Sequence, residues 1–226
     1  MSSPGFDTLD ASAQLLNQRR SKSDRVETPI HDAIILAGGT GARLGGVDKA
    51  RLEVAGLSLL ERMLSAVTGA SQIVIVAPPE SVADMALPSN VRVTMEDPPG
   101  GGPVAGMVAG MALLEIDPAD WVLVAAVDQP GVADTLPAVV AAADAATEEV
   151  DAVCHRDATG HAQWLLALYR TAALRTALKS YGSGHDVSMK RVVADLRFGD
   201  VTAGAEHLGD VDTWDDHRRW QQRLGQ

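Results

Sequence analysis

Residues 33–37, Ala-Ile-Ile-Leu-Ala, form an unbroken apolar run that passes directly into Gly38, Gly39, Gly41, Gly45 and Gly46. A short apolar run bounded by turn residues predicts a strand buried on both faces. Such a strand requires helices above and below it, and so an α/β fold. Glycines let the chain turn tightly and bring its N–H groups close to a ligand. Arg43 and Lys49 place two cations in the same loop. A strand, a glycine loop and fixed positive charge together make a receptor for the phosphates of a nucleoside triphosphate.

Spacing tests which kind of phosphate loop this is. A P-loop needs a lysine directly after its last glycine. Gly41 and Gly46 have the glycine spacing, but Val47 holds the lysine position. A dinucleotide fingerprint needs a third glycine; Gly39 and Gly41 fit, but Leu44 stands where that glycine belongs. Each template fails by one residue. What remains is L-A-G-G-x-x-x-R-x-G-G-x-x-K, from Leu36 to Lys49. A glycine-rich turn with no ligand is the competing reading, and it gives no role to the two cations.

Beyond residue 30, strand and helix patterns alternate. Strands are predicted over 33–37, 73–77, 91–95, 121–127, 151–154 and 164–169, with a last one over 197–203. Helices are predicted over 57–67, 81–86, 103–116, 132–146, 171–180, 187–196 and 213–223. This order implies a three-layer, Rossmann-like, mostly parallel sheet, with weaker alternation after Asp151 that suggests a C-terminal lobe added to the nucleotide-binding half. Residues 1–29 are polar, with Arg19, Arg20, Lys22 and Arg25 among acids. They read as a mobile extension, with a short helix over 11–18, ahead of a single domain over 30–226.

The 226 residues carry a formal charge of −11. That balance argues against sequence-independent nucleic-acid binding, which needs a basic face; positive charge is instead local, at Arg43, Lys49 and Arg51. No run of about 18 apolar residues exists to span a membrane. The first 30 residues lack the apolar core of a secretory signal. Cys154 is the only cysteine. It has no intrachain partner, which fits a reducing, cytoplasmic setting. With no large unexplained apolar stripe, a monomer is expected. Among the six histidines, His155 and His161 stand six positions apart without a cysteine pair of zinc-ligand spacing.

In open α/β sheets ligands gather at the carboxyl ends of strands. Three carboxylate positions fall there: Glu96-Asp97, Asp128, and Asp210 with Asp212. Asp128 ends an otherwise apolar strand, where a carboxylate is placed to hold Mg²⁺ against triphosphate oxygens. It also precedes Gln129-Pro130-Gly131, so turn initiation is the competing role. Asp97 opens a segment ending in Gly102-Pro103, which reads both as a flexible connection and as a ligand contact. Asp210 and Asp212 precede Thr213 and read either as metal ligands or as helix-capping acids.

The Leu36–Lys49 motif resembles the loop of the nucleotidyltransferases that make sugar nucleotides and nucleotide-bearing cofactors. More narrowly, it is similar to the molybdenum cofactor guanylyltransferase family. The likeness covers roughly residues 30–220 and is strongest through Gly131. It implies that Leu36, Ala37, Gly38, Gly39, Thr40, Gly41, Lys49, Asp97, Gly102 and Asp128 contact the nucleotide. Arg43, Lys49 and Asp128 are then catalytic, and Asp128 and Asp212 hold Mg²⁺. The substrates implied are GTP and molybdopterin, with transient contact to molybdoenzymes or other cofactor-biosynthesis proteins that receive the product. Relatives using CTP tend to read Leu-Ala-Ala-Gly, whereas Gly38-Gly39 favours guanine. Three positions depart from the family pattern: Pro78-Pro79 where a polar residue often reaches the nucleotide, Trp164 in place of proline, and Trp214 after Thr213. The last two lie on the side that engages the acceptor. The alternatives are a sister cytidylyltransferase for the same cofactor, a guanylyltransferase for a cobamide precursor, and a non-catalytic nucleotide-binding regulator.

Overall fold

A computed structural model describes residues 31–39, 41–114, 116–157 and 159–225. The extension expected over 1–29, the helix over 11–18 and Thr40 lie outside the described residues. Along the chain the elements are β1 (His31–Leu36), β2 (Glu53–Val54), β3 (Leu57–Ser58), α1 (Leu59–Ala66), β4 (Ile73–Val76), β5 (Val91–Thr94), α2 (Pro103–Leu113) and β6 (Trp121–Ala126). They continue with α3 (Val132–Asp144), β7 (Ala152–Arg156), β8 (Ala162–Arg170), α4 (Thr171–Leu178), α5 (Met189–Val192), β9 (Phe198–Val201) and α6 (Trp214–Leu224).

Seven strands form one sheet in the order β5-β4-β1-β6-β8-β7-β9, and β2 and β3 form a separate small hairpin. β5, β4, β1 and β6 are mutually parallel, β8 is antiparallel to β6 and β7, and β7 and β9 are parallel. The sheet is therefore mostly parallel, as expected, with β8 reversed. Pleating sends alternate side chains to opposite faces. Ala33, Ile35, Ile75, Leu123 and Ala125 pack under α1, α3 and Trp220 of α6. Ile34, Val74, Val76, Val122 and Val124 pack against α2, α4 and α5. This two-sided burial explains why these strands read as continuous apolar runs rather than alternating ones. Gly106 and Gly110 of α2 let the helix lie tight on β1: added Cβ atoms would come within 2.8 Å of Leu36 and 2.6 Å of Ile34.

Three predicted helices change. Over 57–67 the first two residues are strand, because Ala55 and Gly56 turn at positive φ and Val54 pairs with Leu57. The helix then starts at Leu59, where Ser58 and Glu61 form a reciprocal capping box. The helix over 81–86 is absent; Pro78-Pro79 set a single 3-10 turn over Pro79–Ser81, too short to nucleate further. The helix over 187–196 shrinks to the one turn Met189–Val192, anchored by its buried Met189 and Val192. Among the described residues no helix is long and apolar enough to cross a membrane.

From β1 the chain moves outward to β4 and β5, then returns to β6 on the other flank of β1. This reversal opens a crevice above the carboxyl ends of β1 and β6, where open α/β sheets bind ligands.

Candidate active site

The loop after β1 contains glycines of two kinds. Gly41 is left-handed at φ 54°, and a Cβ there would sit 2.2 Å from the Val47 carbonyl oxygen. Its own carbonyl accepts from the N–H groups of Leu44 (2.8 Å) and Gly46 (3.0 Å), closing the loop over buried Leu44. Gly41 thus shapes the loop. Gly38 and Gly39 differ. A Cβ on Gly39 would meet no described atom within 4 Å, and one on Gly38 only the Glu96 carboxylate oxygens at 3.7 Å and the Val76 carbonyl at 4.0 Å. The protein's own packing does not demand glycine at either place. Both border an open cavity, and their missing side chains leave it clear.

Lys49 is held by a short 3-10 turn, Lys49–Arg51, whose start is fixed by Asp48 accepting from the Ala50 N–H at 2.9 Å. Its ammonium donates to Asp128 Oδ2 at 2.8 Å and to Asp212 Oδ1 at 2.6 Å. The two carboxylates are set by separate devices. Asp128 directly follows β6 and the buried Val127, whose N–H extends the ladder onto the Leu36 carbonyl. Asp212 is brought beside it because the Val211 N–H donates to the Asp128 carbonyl at 2.8 Å. One residue later, Thr213 caps α6 in a capping box with Asp216. Capping thus falls to Thr213 and to Asp216 within the first turn of α6, not to Asp210 or Asp212, and Asp212 faces Lys49.

Burial works against the Lys49 charge, but the hydrogen bonds to Asp128 and Asp212 outweigh it and hold the ammonium above its ordinary range. Arg43 reaches Asp212 Oδ2 at only 3.4 Å, with its side chain 76 % exposed. A pair this exposed adds little stability; Arg43 stands at the rim with its charge available to an incoming anion. Partial burial, then the neighbouring Asp128 and Asp212 carboxylates, push Asp210 up to about 6. Asp210 is nonetheless open to solvent, which screens that push.

The cavity has a volume of about 330 Å³. Leu36, Val76, Ala126, Val127 and Leu165 give it apolar walls, Gly38, Gly39, Gly100, Gly102 and Gly106 leave room, and Lys49, Asp128 and Glu96 supply charge. Lys49 and Asp128 belong to the β1–β6 side, whereas Glu96 follows the edge strand β5. Gly102 turns at φ 83° to start α2 with Pro103 in its first turn. Ala37 is buried in the core, and Asp97 is exposed and absent from the cavity wall.

Among the described residues no group of three or more His, Cys, Asp or Glu could hold a metal ion unaided. Asp128 and Asp212 still converge on one point, now taken by the Lys49 ammonium. A magnesium ion is commonly bound by one or two carboxylates together with substrate phosphates, so this donor pair suits an ion that arrives with a triphosphate.

Of the residues singled out from the sequence, Leu36, Gly38, Gly39, Lys49, Gly102 and Asp128 line the cavity, and Asp212 and Arg43 join the Lys49 cluster. Glu96 was passed over in favour of Asp97. Strand alternation points the wrong way here: Asp97 continues the apolar side of Val93 and Met95, which the structure leaves exposed, and Glu96 falls on the opposite side.

A crevice at the sheet's reversal point, walled by a glycine loop and closed by a lysine between two aspartates, defines a nucleotide-binding α/β domain suited to phosphoryl-type transfer. Residues 33–200 match the MobA-like NTP transferase domain. The chain belongs to that nucleotidyltransferase family. It is 35 % identical over 146 residues to a molybdenum cofactor guanylyltransferase of Acidiphilium cryptum, covering 62 % of this chain and 67 % of the relative. A probable molybdenum cofactor guanylyltransferase of Bacillus cereus is 29 % identical across 84 % of this chain and 96 % of its own length. In fold, the chain matches the crystal structure of molybdopterin-guanine dinucleotide biosynthesis protein A from Archaeoglobus fulgidus with a TM-score of 0.64 at 21 % identity, covering 85 % of this chain and 97 % of that one.

Proposed function

We propose that this protein transfers GMP from GTP to the terminal phosphate of molybdopterin, giving molybdopterin guanine dinucleotide and pyrophosphate. The observation that carries the reading is Lys49 held between Asp128 and Asp212 at one end of a glycine-bordered cavity. The names of the relatives support guanosine as the nucleoside and the molybdenum cofactor as the acceptor.

In this reading the Gly39 side of the loop receives the phosphates, with Lys49 beside the α-phosphate and Arg43 at the rim beside the β- and γ-phosphates. An oxygen of the acceptor's terminal phosphate attacks the α-phosphorus. The bond from that phosphorus to the bridging oxygen of the β-phosphate breaks, and pyrophosphate leaves with the electron pair. The attacking phosphate is already ionised, so the chain need supply no general base; its residues position the reactants and neutralise charge. Asp128 and Asp212 would hold Mg²⁺, which offsets negative charge on the triphosphate when bound. As the substrate's phosphates enter, the Lys49 ammonium exchanges a carboxylate partner for a phosphate oxygen. The setting is cytoplasmic, and the product passes to molybdoenzymes or other cofactor-biosynthesis proteins through transient contact.

The test is product identity. Purified protein incubated with Mg²⁺, molybdopterin and either GTP or CTP should yield the guanine dinucleotide by mass spectrometry. Formation of the cytosine dinucleotide alone, or of neither product by folded protein, would overturn the assignment.

A further inference from the structure

Glu96 is 9 % exposed and lines the cavity, yet the described structure gives it a single partner, the Gly100 N–H at 3.2 Å from Oε1. Among the described residues no lysine, arginine or histidine forms an ion pair with it. A carboxylate is an acceptor only, with room for several donors. With one donor engaged, this carboxylate keeps acceptor capacity free for a ligand in the cavity. The open side of this carboxylate faces the cavity, where a Cβ on Gly38 would be 3.7 Å from each of its oxygens.

The cavity has two chemically distinct ends. Lys49 and Asp128, after β6, make the phosphate end. Glu96 follows β5, two strands beyond β1 in the sheet, with the apolar Leu36 and Val76 walls between. A nucleotide whose phosphates lie at Lys49 extends its nucleoside along those walls toward Glu96. Apolar walls and a slot kept open by Gly102 and Gly106 suit a flat ring.

We infer that Glu96 reads the guanine base, its two carboxylate oxygens accepting from the ring N1–H and the exocyclic amino group. This rests on the nucleotidyltransferase reading above and adds to it the residue that selects the nucleotide. The reason is donor geometry. Guanine presents two adjacent parallel donors on that edge, which match a carboxylate as a guanidinium does. Adenine and cytosine pair an amino donor with a ring-nitrogen lone pair, and uracil flanks its one N–H with two carbonyl oxygens; each opposes the carboxylate with an acceptor. A site built to bond such donors rejects analogues that lack them, because its own polar group is then left unpaired. Pro78-Pro79, after β4, offer no side-chain hydrogen bond of their own.

The experiment measures dissociation constants of GTP, ITP, XTP, ATP and 2′,3′-dideoxy-GTP for the wild-type protein and for Glu96→Gln. ITP lacks the amino group, and XTP carries a carbonyl in its place. Wild type should bind GTP about 10- to 100-fold more tightly than ITP or XTP. Glu96→Gln should lose most of that margin and bind XTP at least as well as GTP, because an amide offers one donor and one acceptor. A gain toward XTP cannot come from misfolding. Equal weakening of all five nucleotides, or an unchanged GTP preference, would overturn the role of Glu96 while leaving nucleotide transfer intact. A substitution effect that disappears with the dideoxy nucleotide would overturn it too, by assigning the carboxylate to the ribose. Wild-type protein that binds none of the nucleotides would overturn this inference and the transferase reading together.

Discussion

Lys49 has little access to water, its side chain being 11 % exposed, and satisfies its charge with two carboxylates that come from opposite ends of the chain's second half. The same three groups can release an ammonium toward phosphate and two carboxylates toward a cation, which is why the cluster reads as a site waiting for a charged ligand rather than as a structural ion pair. Lys49→Met should weaken GTP binding by about 10- to 100-fold, the range expected for losing one charge-assisted hydrogen bond to phosphate; titration calorimetry checks this, and unchanged affinity would remove Lys49 from the phosphate site. The sequence made this lysine legible because its spacing from the glycines is long and specific, and Asp128 was legible as an acid ending an apolar strand. Glu96 was not, since choosing between adjacent acids depends on which face of the strand end each occupies, and the pattern of β5 is too short and too exposed to announce it.

At the scale of elements, the glycine loop and the start of α6 do different work. Gly39→Val places a side chain into open space, so the fold should keep its thermal midpoint while nucleotide affinity drops. Gly41→Val forces a β-branched residue into the left-handed region against the Val47 carbonyl, which should cost on the order of 1–3 kcal/mol in stability. Thermal unfolding and nucleotide titration of the two variants should therefore diverge; matching losses of stability would contradict the division. Thr213→Ala removes the cap of α6 and should cost about 1 kcal/mol. Because Asp212 adjoins that cap, the variant should also require more Mg²⁺ for half-maximal activity. An unaltered Mg²⁺ requirement would contradict the proposed role of Asp212 in holding the ion. The cap of α6 at Thr213 was legible in the sequence, whereas the start of α1 after Ser58 was hidden by the apolar Leu57 that extends its helical spacing. The one-turn helix at Met189 and the hairpin at Val54–Leu57 were not legible, because positive φ at a non-glycine such as Ala55 and burial of a single turn are tertiary outcomes.

Across the whole molecule, the nucleotide half and the later strands share one sheet, with antiparallel β8 joining β6 to β7. The alternation of apolar runs and helices carried the α/β class. The reversal of β8 was hidden, because a buried strand reads the same in either direction. At the far edge, Asp151 clasps Arg197 through the backbone N–H at 3.0 Å and the guanidinium at 2.9 and 3.2 Å, tying the start of β7 to the chain entering β9. The Arg197 bonds hold the Asp151 carboxyl below its usual range. A depressed carboxylate stabilises the fold above its unfolded value of about 4 and loses that contribution as pH falls through the folded value. Asp151→Asn should therefore destabilise the protein by about 1 kcal/mol at pH 7, with the difference from wild type shrinking as pH falls below the unfolded value of about 4. Denaturant melts at several pH values test this, and a difference that grows on acidification would contradict it.

If the Lys49, Asp128 and Asp212 cluster carries out transfer from GTP, the rate of pyrophosphate release by wild type and Asp128→Ala with GTP, Mg²⁺ and molybdopterin reads it directly. Release should require all three additions and fall by roughly 10²- to 10³-fold in the variant, the loss typical of removing one charge-stabilising group from a transfer site. Equal rates in the two proteins, or a folded wild type that binds GTP without releasing pyrophosphate, would contradict it.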